Sequence, residues 1–367
     1  MRRLNWIVLI LGIFIFGSLN AQETGKNVRR DTAFNEFFSR DCCGMTGADG
    51  TYSVLLPDGR TVWIFGDTFL GTVNKDNTRE KRSPVFIRNS FGIQDGDSLR
   101  TLYQVKDGWE SSFVIPPDAT RGEKFSEDSL WYWPGDGFIE NGKLKVFMSA
   151  FWQAEEGNWG FRWVRTDLAV FSLPDVKLRK IEHIPFAAGS RIHFGHAVCD
   201  DTQHYTYIYG LGEDKKPYVA RAEKGKVMEP WQFYTGRGWS NDVKKAQPMM
   251  DIQGSEQFSV IKLKDKFVYL TQIGGFHDNS IVSYTSDTPY ADWGNRKNLY
   301  NVPVPGDDKD LFAYNALAHP QFINDEGELL VSYNVNSFNL EDLFDDATIY
   351  RPRFVRIPIE MILEETD

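Results

Sequence analysis

The sequence predicts an all-β fold, a five-bladed β-propeller of four-stranded antiparallel blades around a central channel, and three observations carry that reading. Helical periodicity is nearly absent between Gln22 and the C-terminal tail. Short β-rich runs bounded by Gly, Asp, Asn and Pro recur through the same stretch, the pattern of many hairpins. The hairpins also share a phase: five units of the form polar residue, short strand, turn, apolar strand start at Asp49, Asp136, His196, Glu256 and His319. Their starts lie 87, 60, 60 and 63 residues apart, room each time for a four-stranded sheet repeated around an axis. A sandwich of two stacked sheets also uses short strands at regular spacing; the fivefold phase of the polar residues favours the propeller.

In chain order, residues 1–21 come first. MRRLNWIVLILGIFIFGSLNAQETG places two arginines before an apolar run from Trp6 to Phe16, then small and polar residues around Ala21. This is the layout of a secretory signal peptide, too short for a membrane span. Cleavage near Ala21 is expected, giving a secreted or periplasmic protein with no membrane insertion. Residues 22–367 then form a single propeller domain, since no Gly/Ser/Pro linker divides them.

The five units follow. DGTYSVLLPDGRTVWIFGD from Asp49 turns at Pro-Asp-Gly, and DGFIENGKLKVFMSAF from Asp136 turns at Asn-Gly. HAVCDDTQHYTYIYG from His196 turns near Asp200 and Asp201, EQFSVIKLKDKFVYLTQ starts at Glu256, and HPQFINDEGELLVSYN starts at His319. Outer strands are read in WGFRWVRTDLAVFSLPD, KPYVARAEK, MEPWQFYTGRGW and NSIVSYTSDTPYADW. YRPRFVRIPI, residues 350–359, is a strand after the fifth unit, and it or a segment near Phe34 to Phe38 is expected to close the ring.

Charge limits the partners. Loss of residues 1–21 removes Arg2 and Arg3 and no acid, so the formal charge of −10 becomes −12. Nucleic acid and anionic membrane surfaces repel such a chain. Neutral ligands fit better, and 11 Trp, 15 Tyr and 27 Phe offer faces for sugars, although aromatics also fill β cores. Cys42, Cys43 and Cys199 are too few for a disulfide framework; buried thiols are expected, with a bond from the pair to Cys199 as the alternative. There is no CxxC or HExxH, and the acidic GDDKD at 306–310 lacks an EF-hand pattern. No metal and no cofactor are assigned, and a monomer is expected.

In a propeller the first strand of each blade lines the channel. Asp49, Asp136, His196, Glu256 and His319 would then ring one mouth as a titrating cluster. Satisfying backbone groups at a turn is the plainer role for any one of them. Val62 to Phe65 shows no polar alternation, as in a strand covered on both faces, and Asp67 sits where it leaves the core. With Pro57 to Gly59 as a three-residue loop and Gly59 left-handed, Leu56 pairs with Arg60 and Asp49 falls opposite Asp67. Opposed carboxylates suit glycosidic bond hydrolysis, which needs one protonated and one ionised partner. Asp67, flanked by Phe65 and Phe69, is read as the acid, and the more open Asp49 as base or nucleophile.

ADGTYSVLLPDGRTVWIFGDTFLG, with RSPVFIRNS, WYWPGDG, SDTPYADW, HPQF and YRPRF, resembles a group of secreted bacterial proteins classed as domains of unknown function. Five-bladed propeller endo-D-arabinanases are among their relatives. The similarity runs from about residue 45 to 357. It implies that the aspartates of ADG and GDT, here Asp49 and Asp67, are the catalytic carboxylates. Arabinofuranose polymers become the first candidate among glycan substrates.

Secondary candidates lie in the long insertion from about Thr72 to Leu130, where Arg82 and Asn89 could bind sugar hydroxyls; Arg79 to Arg82 reads equally as a solvated basic stretch. Trp133, just before Asp136, offers a sugar platform or a core indole, and His277 a pocket or a bare loop histidine. The leading function is glycoside hydrolysis of an oligo- or polysaccharide. The alternatives are a glycan-binding propeller that cleaves nothing and a lyase or other hydrolase using His196 and His319.

Overall fold

The computed structural model of the chain describes residues 27–81, 85–119, 129–157, 159–273, 279–303 and 310–365. The expected leader, Arg82, His277 and all but the last residue of the 306–310 loop lie outside them. Among the described residues, five antiparallel sheets of four or five strands follow one another along the chain. The first sheet holds Tyr52–Leu55, Thr61–Phe65, Ser90–Asp95 and Ser98–Leu102. The second holds Leu130–Glu140, Lys143–Gln153, Phe161–Ser172 and Lys177–His183. The third runs from Ile192–Cys199 through Tyr205–Gly212 and Pro217–Glu223 to the short Gln232–Tyr234 and Trp239–Ser240. The fourth holds Ser259–Leu263, Lys266–Gln272, Ser280–Ser286 and Gly294–Asn301. The fifth holds Leu311–His319, Glu328–Ser337 and Arg353–Pro358, completed at its edge by Arg29–Arg30 from the other end of the chain.

The first strand of each sheet packs beside the first strand of the next, and that of the fifth returns to that of the first. A separate apolar core fills the space between each consecutive pair. Val54, Ile64, Val146 and Phe171 pack between the first and second sheets, for example, and Phe38, Trp63, Phe65, Leu330 and Phe354 between the fifth and first. This explains why Val62 to Phe65 carries no polar alternation: each is 0% exposed, covered on both faces.

The polar phase inferred from sequence is shifted in three units. The first strands of the second and third sheets start at Leu130 and Ile192, so Asp136 and His196 fall inside them, at breaks of register between Pro134 and Gly137 and between Phe194 and Ala197. Such bulges redirect side chains. The fifth first strand is Leu311–His319, which His319 ends rather than begins. The Thr72–Leu130 insertion in turn contains the two outer strands of the first sheet, so less of it is loop than expected. The segment near Phe34 to Phe38 is the end of a helix, Thr32–Phe37, capped at Phe38. Cys42 and Cys43 are disulfide-bonded to each other and Cys199 is a buried free thiol, which replaces the expectation of three thiols. No helix among the described residues is long and apolar enough to cross a membrane.

At the seam, Asp31 follows the edge strand, caps the helix through Phe34 N–H (2.9 Å) and pairs with Arg356 Nε at 2.6 Å. The side chains of both are under a tenth exposed. Removing one partner of a buried pair strands the other charge, at a cost of about 3–5 kcal/mol. Asp31→Ala is therefore expected to lower stability by that amount in chemical denaturation, and Arg29→Ala, whose partner Glu328 it meets at the surface, by less than about 1 kcal/mol.

Candidate active site

The register of the first hairpin positions two carboxylates. Leu56 N–H donates to Arg60 C=O at 2.8 Å, and Gly59 takes φ +87°. Pairing continues through Tyr52↔Ile64 and resumes at Ala48↔Thr68 in a small three-stranded sheet of Met45–Ala48, Thr68–Leu70 and Val85–Ile87. Between these stretches the two arms kink together. Asp49 N–H donates to Asp67 C=O at 3.3 Å and Gly66 N–H to Asp49 C=O at 2.9 Å. Gly50 takes φ +67° at the kink, a conformation glycine adopts without penalty. A Cβ on Gly66 would stand 2.5 Å from Asp49 Oδ1, so only glycine lets that carboxyl lie over the opposing arm.

The two carboxyls have unlike neighbours. Asp49 Oδ2 accepts from the Tyr314 hydroxyl at 2.7 Å, and the Tyr350 hydroxyl also donates to Asp49. Asp67 Oδ1 accepts from Trp133 Nε1 at 2.7 Å, and Arg88 stands 3.5 Å from Oδ2. Burial, followed by the negative charge of Asp67, pushes the Asp49 carboxyl up to about 7. Burial also raises Asp67, but Arg88 and the Trp133 indole oppose it by favouring the ionised form. The rise expected for Asp67 from its apolar surroundings is present, but burial raises Asp49 as well, because what flanks an aspartate in sequence is not what touches its oxygens.

The remaining predicted residues separate into groups. Asp136 Oδ2 accepts from Val198 N–H at 2.8 Å and Oδ1 from Gly137 N–H at 2.8 Å, clasping the second sheet to the third at the bulge. His196 and Glu256 come together with His193, which the sequence reading did not select. The two imidazole centroids are 4.1 Å apart, and Glu256 Oε2 lies 3.9 Å from His193 Nδ1 and 3.7 Å from His196 Nε2. Burial holds both imidazoles neutral, that of His196 down to about 4. His319 belongs to no pocket: it is 0% exposed, beside Trp63, between the hydroxyls of Ser53 (2.6 Å) and Ser332 (2.8 Å). Asn89 is likewise spent, joined to Val114 N–H and C=O and to Tyr132 C=O, and cannot offer its amide to a sugar. Arg79 is buried at 3% exposure, bonded to Thr46 beneath the hairpin, not a solvated cation.

Trp133 is partly exposed, with one edge committed to Asp67 and its face to Phe151 and Phe161, both at 4.7 Å. From Phe161 an arc of rings continues through Trp159 (6.3 Å) to Phe338 (5.8 Å) and Phe312 (6.2 Å), and from Phe312 to Tyr314 (5.4 Å). Trp159 and Phe338 are 43% and 40% exposed. The arc joins the partner of Asp67 to the partner of Asp49. Sequence reasoning missed Tyr314, Tyr350, Arg88 and Trp159; placing the fifth first strand on LFAYNALAH would have exposed Tyr314.

A family profile described as Domain of unknown function (DUF5005) matches residues 31–359. The chain belongs to the DUF5005 family. Comparison with functionally curated proteins returns no match. Among solved structures, this DUF5005 chain is similar to a candidate hydrolase from Bacteroides ovatus, at 23% identity and TM-score 0.78 over 90% of each chain. It is also similar to a GH43_1 enzyme of Xanthomonas citri complexed with xylotriose, at 15% identity and TM-score 0.51, over 89% of this chain and 93% of that one. At these identities the likeness is one of fold: the all-β fold of propeller glycoside hydrolases.

In the DUF5005 chain Asp49 binds its proton more tightly folded than unfolded. The stability this contributes is fully present below about pH 4 and is lost as pH rises through about 7. Asp49→Asn, a neutral mimic, is expected to raise the melting temperature at pH 8 by about 3 °C or more. The difference should vanish at pH 4, as read by circular dichroism melts at the two pH values.

Proposed function

We propose that this DUF5005 chain is a secreted five-bladed propeller that hydrolyses glycosidic bonds, with Asp49 and Asp67 as the catalytic pair. The observation that carries the reading is the meeting of two carboxylates at one kink with unlike partners, Asp49 among phenols and Asp67 against a guanidinium and an indole. The closed order of first-strand contacts and the five intervening cores support the blade count. The expected leader supports export.

Glycoside hydrolysis needs a carboxylic acid to protonate the leaving oxygen and a carboxylate to attack the anomeric carbon or to activate water. Asp49, which retains its proton toward neutral pH, is the acid, and Asp67, whose ionised form Arg88 and the Trp133 indole favour against burial, is the nucleophile or base. The anomer first released, read by proton NMR, decides between these last two roles. The aromatic arc from Trp133 to Tyr314 gives neutral sugar rings apolar faces beside the pair. Arabinofuranose polymers are the first substrate to test, on the resemblance carried by the ADG and GDT motifs.

Purified mature protein is to be screened for reducing-end release against polysaccharides, D-arabinan included. Asp49→Asn and Asp67→Asn are each expected to lower kcat by about 10²–10⁴-fold. The rate should fall tenfold per unit above about pH 7, as Asp49 loses its proton. Trp159→Ala should raise KM with little change in kcat, since a platform binds ground and transition states alike. Glycan binding by wild type with no release from any bound polymer would overturn hydrolysis in favour of a lectin.

A further inference from the structure

We propose that His193, His196 and Glu256 form a binding site for a divalent first-row transition-metal ion of the zinc type. This does not rest on the hydrolase reading. His193 and His196 belong to the first strand of the third sheet, and Glu256 precedes the first strand of the fourth. Their donor atoms all lie within 4.8 Å of one another.

Three features make this more than a cluster of polar groups. His196 is 5% exposed, and its Nε2 has no hydrogen-bond partner among the described residues. A buried polar atom rarely stays unsatisfied in a folded protein, and this one faces Glu256 Oε2 at 3.7 Å, too far for a hydrogen bond. The His193 ring is fixed from behind: Nε2 meets Ser149 Oγ at 2.6 Å and its face stacks on Trp163 at 4.7 Å. A hydrogen bond on the far ring nitrogen is how proteins orient metal-binding histidines, and it leaves Nδ1 toward the carboxylate. Lys215 engages Glu256 at Oε1, 2.5 Å away, so Oε2 is the oxygen left to the histidines.

The dimensions suit a small cation. Donors about 2.0–2.2 Å from a tetrahedral zinc stand about 3.4 Å from each other. The Oε2 separations of 3.7 and 3.9 Å need a slight contraction, which Glu256, half exposed, can make, and the donor set as a whole, within 4.8 Å, closes by about 1 Å around the ion. Two imidazoles select zinc, nickel or copper over magnesium and calcium, which prefer oxygen. Two histidines and one glutamate leave a fourth position open on the exposed side of Glu256. Phe151 touches both Trp133 (4.7 Å) and His193 (5.9 Å), so one aromatic ring separates this site from the partner of Asp67.

The test is titration calorimetry on untagged protein stripped with chelator, with zinc chloride and calcium chloride as separate titrants. One zinc per chain is expected at micromolar or tighter Kd, with no calcium bound at millimolar concentration. Glu256→Gln, a surface change that spares folding, should weaken zinc at least tenfold. His196→Gln should abolish zinc binding and the rise in melting temperature that zinc gives wild type. His183→Ala, which alters the histidine paired with Asp167 in the second sheet, should bind zinc as wild type does. No zinc bound by wild type, calcium bound in preference, or zinc affinity unchanged in both Glu256→Gln and His196→Gln would overturn the proposal.

Discussion

The organising constraint is a hairpin that changes sheets without losing register. Its inner half, Tyr52–Leu55 with Thr61–Phe65, is locked in the core of the first sheet, and its outer half pairs Met45–Ala48 with Thr68–Leu70. The kink between them is held by main-chain hydrogen bonds. Asp49 and Asp67 therefore stand opposite each other because of backbone geometry. Two like charges so placed and partly withdrawn from water cannot both ionise cheaply. Everything that touches them distributes that cost.

The distribution is carried by elements far apart in sequence. Trp133 comes from the second sheet, Tyr314 and Tyr350 from the fifth sheet and the loop beside its third strand, and Arg88 from the segment that leads back into the first. Beneath the outer half, Arg79 binds the Thr46 hydroxyl and carbonyl while stacking on Phe69 at 4.6 Å, and Arg351 reaches the same carbonyl. Two buried guanidiniums close together repel each other, and burial and Arg351 lower Arg79 to about 10. Their position on Thr46, three residues from Asp49, fixes the small sheet against the main ones. The site is thus a product of several sheets, not of the hairpin alone.

What could be read from sequence follows the range of the interactions involved. The hairpin pairing of Asp49 with Asp67 was legible because turn chemistry at Pro57–Gly59 sets register over short distances. The all-β class was legible from period and turn residues. The phase of the inner strands was not, because the second, third and fifth sheets each break register mid-strand, by one extra residue in the second and fifth and two in the third. In the second and third sheets the sequence at the break reads as though a strand began there. The first two bulges lie where Asp136 and His196 were put at strand starts; His319 instead ends its strand, between Ser53 and Ser332, and taking it for a strand start hid Tyr314 in the strand before it. Asn89 failed for another reason: an amide that satisfies three backbone groups has the same sequence signature as one that binds ligand. The unequal environments of the two aspartates are set wholly by long-range partners, which no local window contains.

The seam ties stability to the site. The fifth sheet is composite, its edge strand supplied by Arg29–Arg30 and its inner strand carrying Tyr314. Tyr350, just ahead of the strand that pairs with Arg29–Arg30, reaches the same Asp49. Opening the seam would shift the Arg353–Pro358 strand and with it Tyr350, the second phenol on the carboxyl that burial and Asp67 hold protonated. A two-residue strand contributes few hydrogen bonds, so the seam depends on the Asp31–Arg356 pair and on Phe34 and Phe38 packing with Trp63, Phe322 and Phe354. Trp63 lies in the inner half of the same hairpin that carries Asp67. The aromatic cluster at the seam therefore braces the far end of the element whose kink holds the carboxylates, and the packing of the fifth sheet on the first and the placement of the pair depend on the same residues.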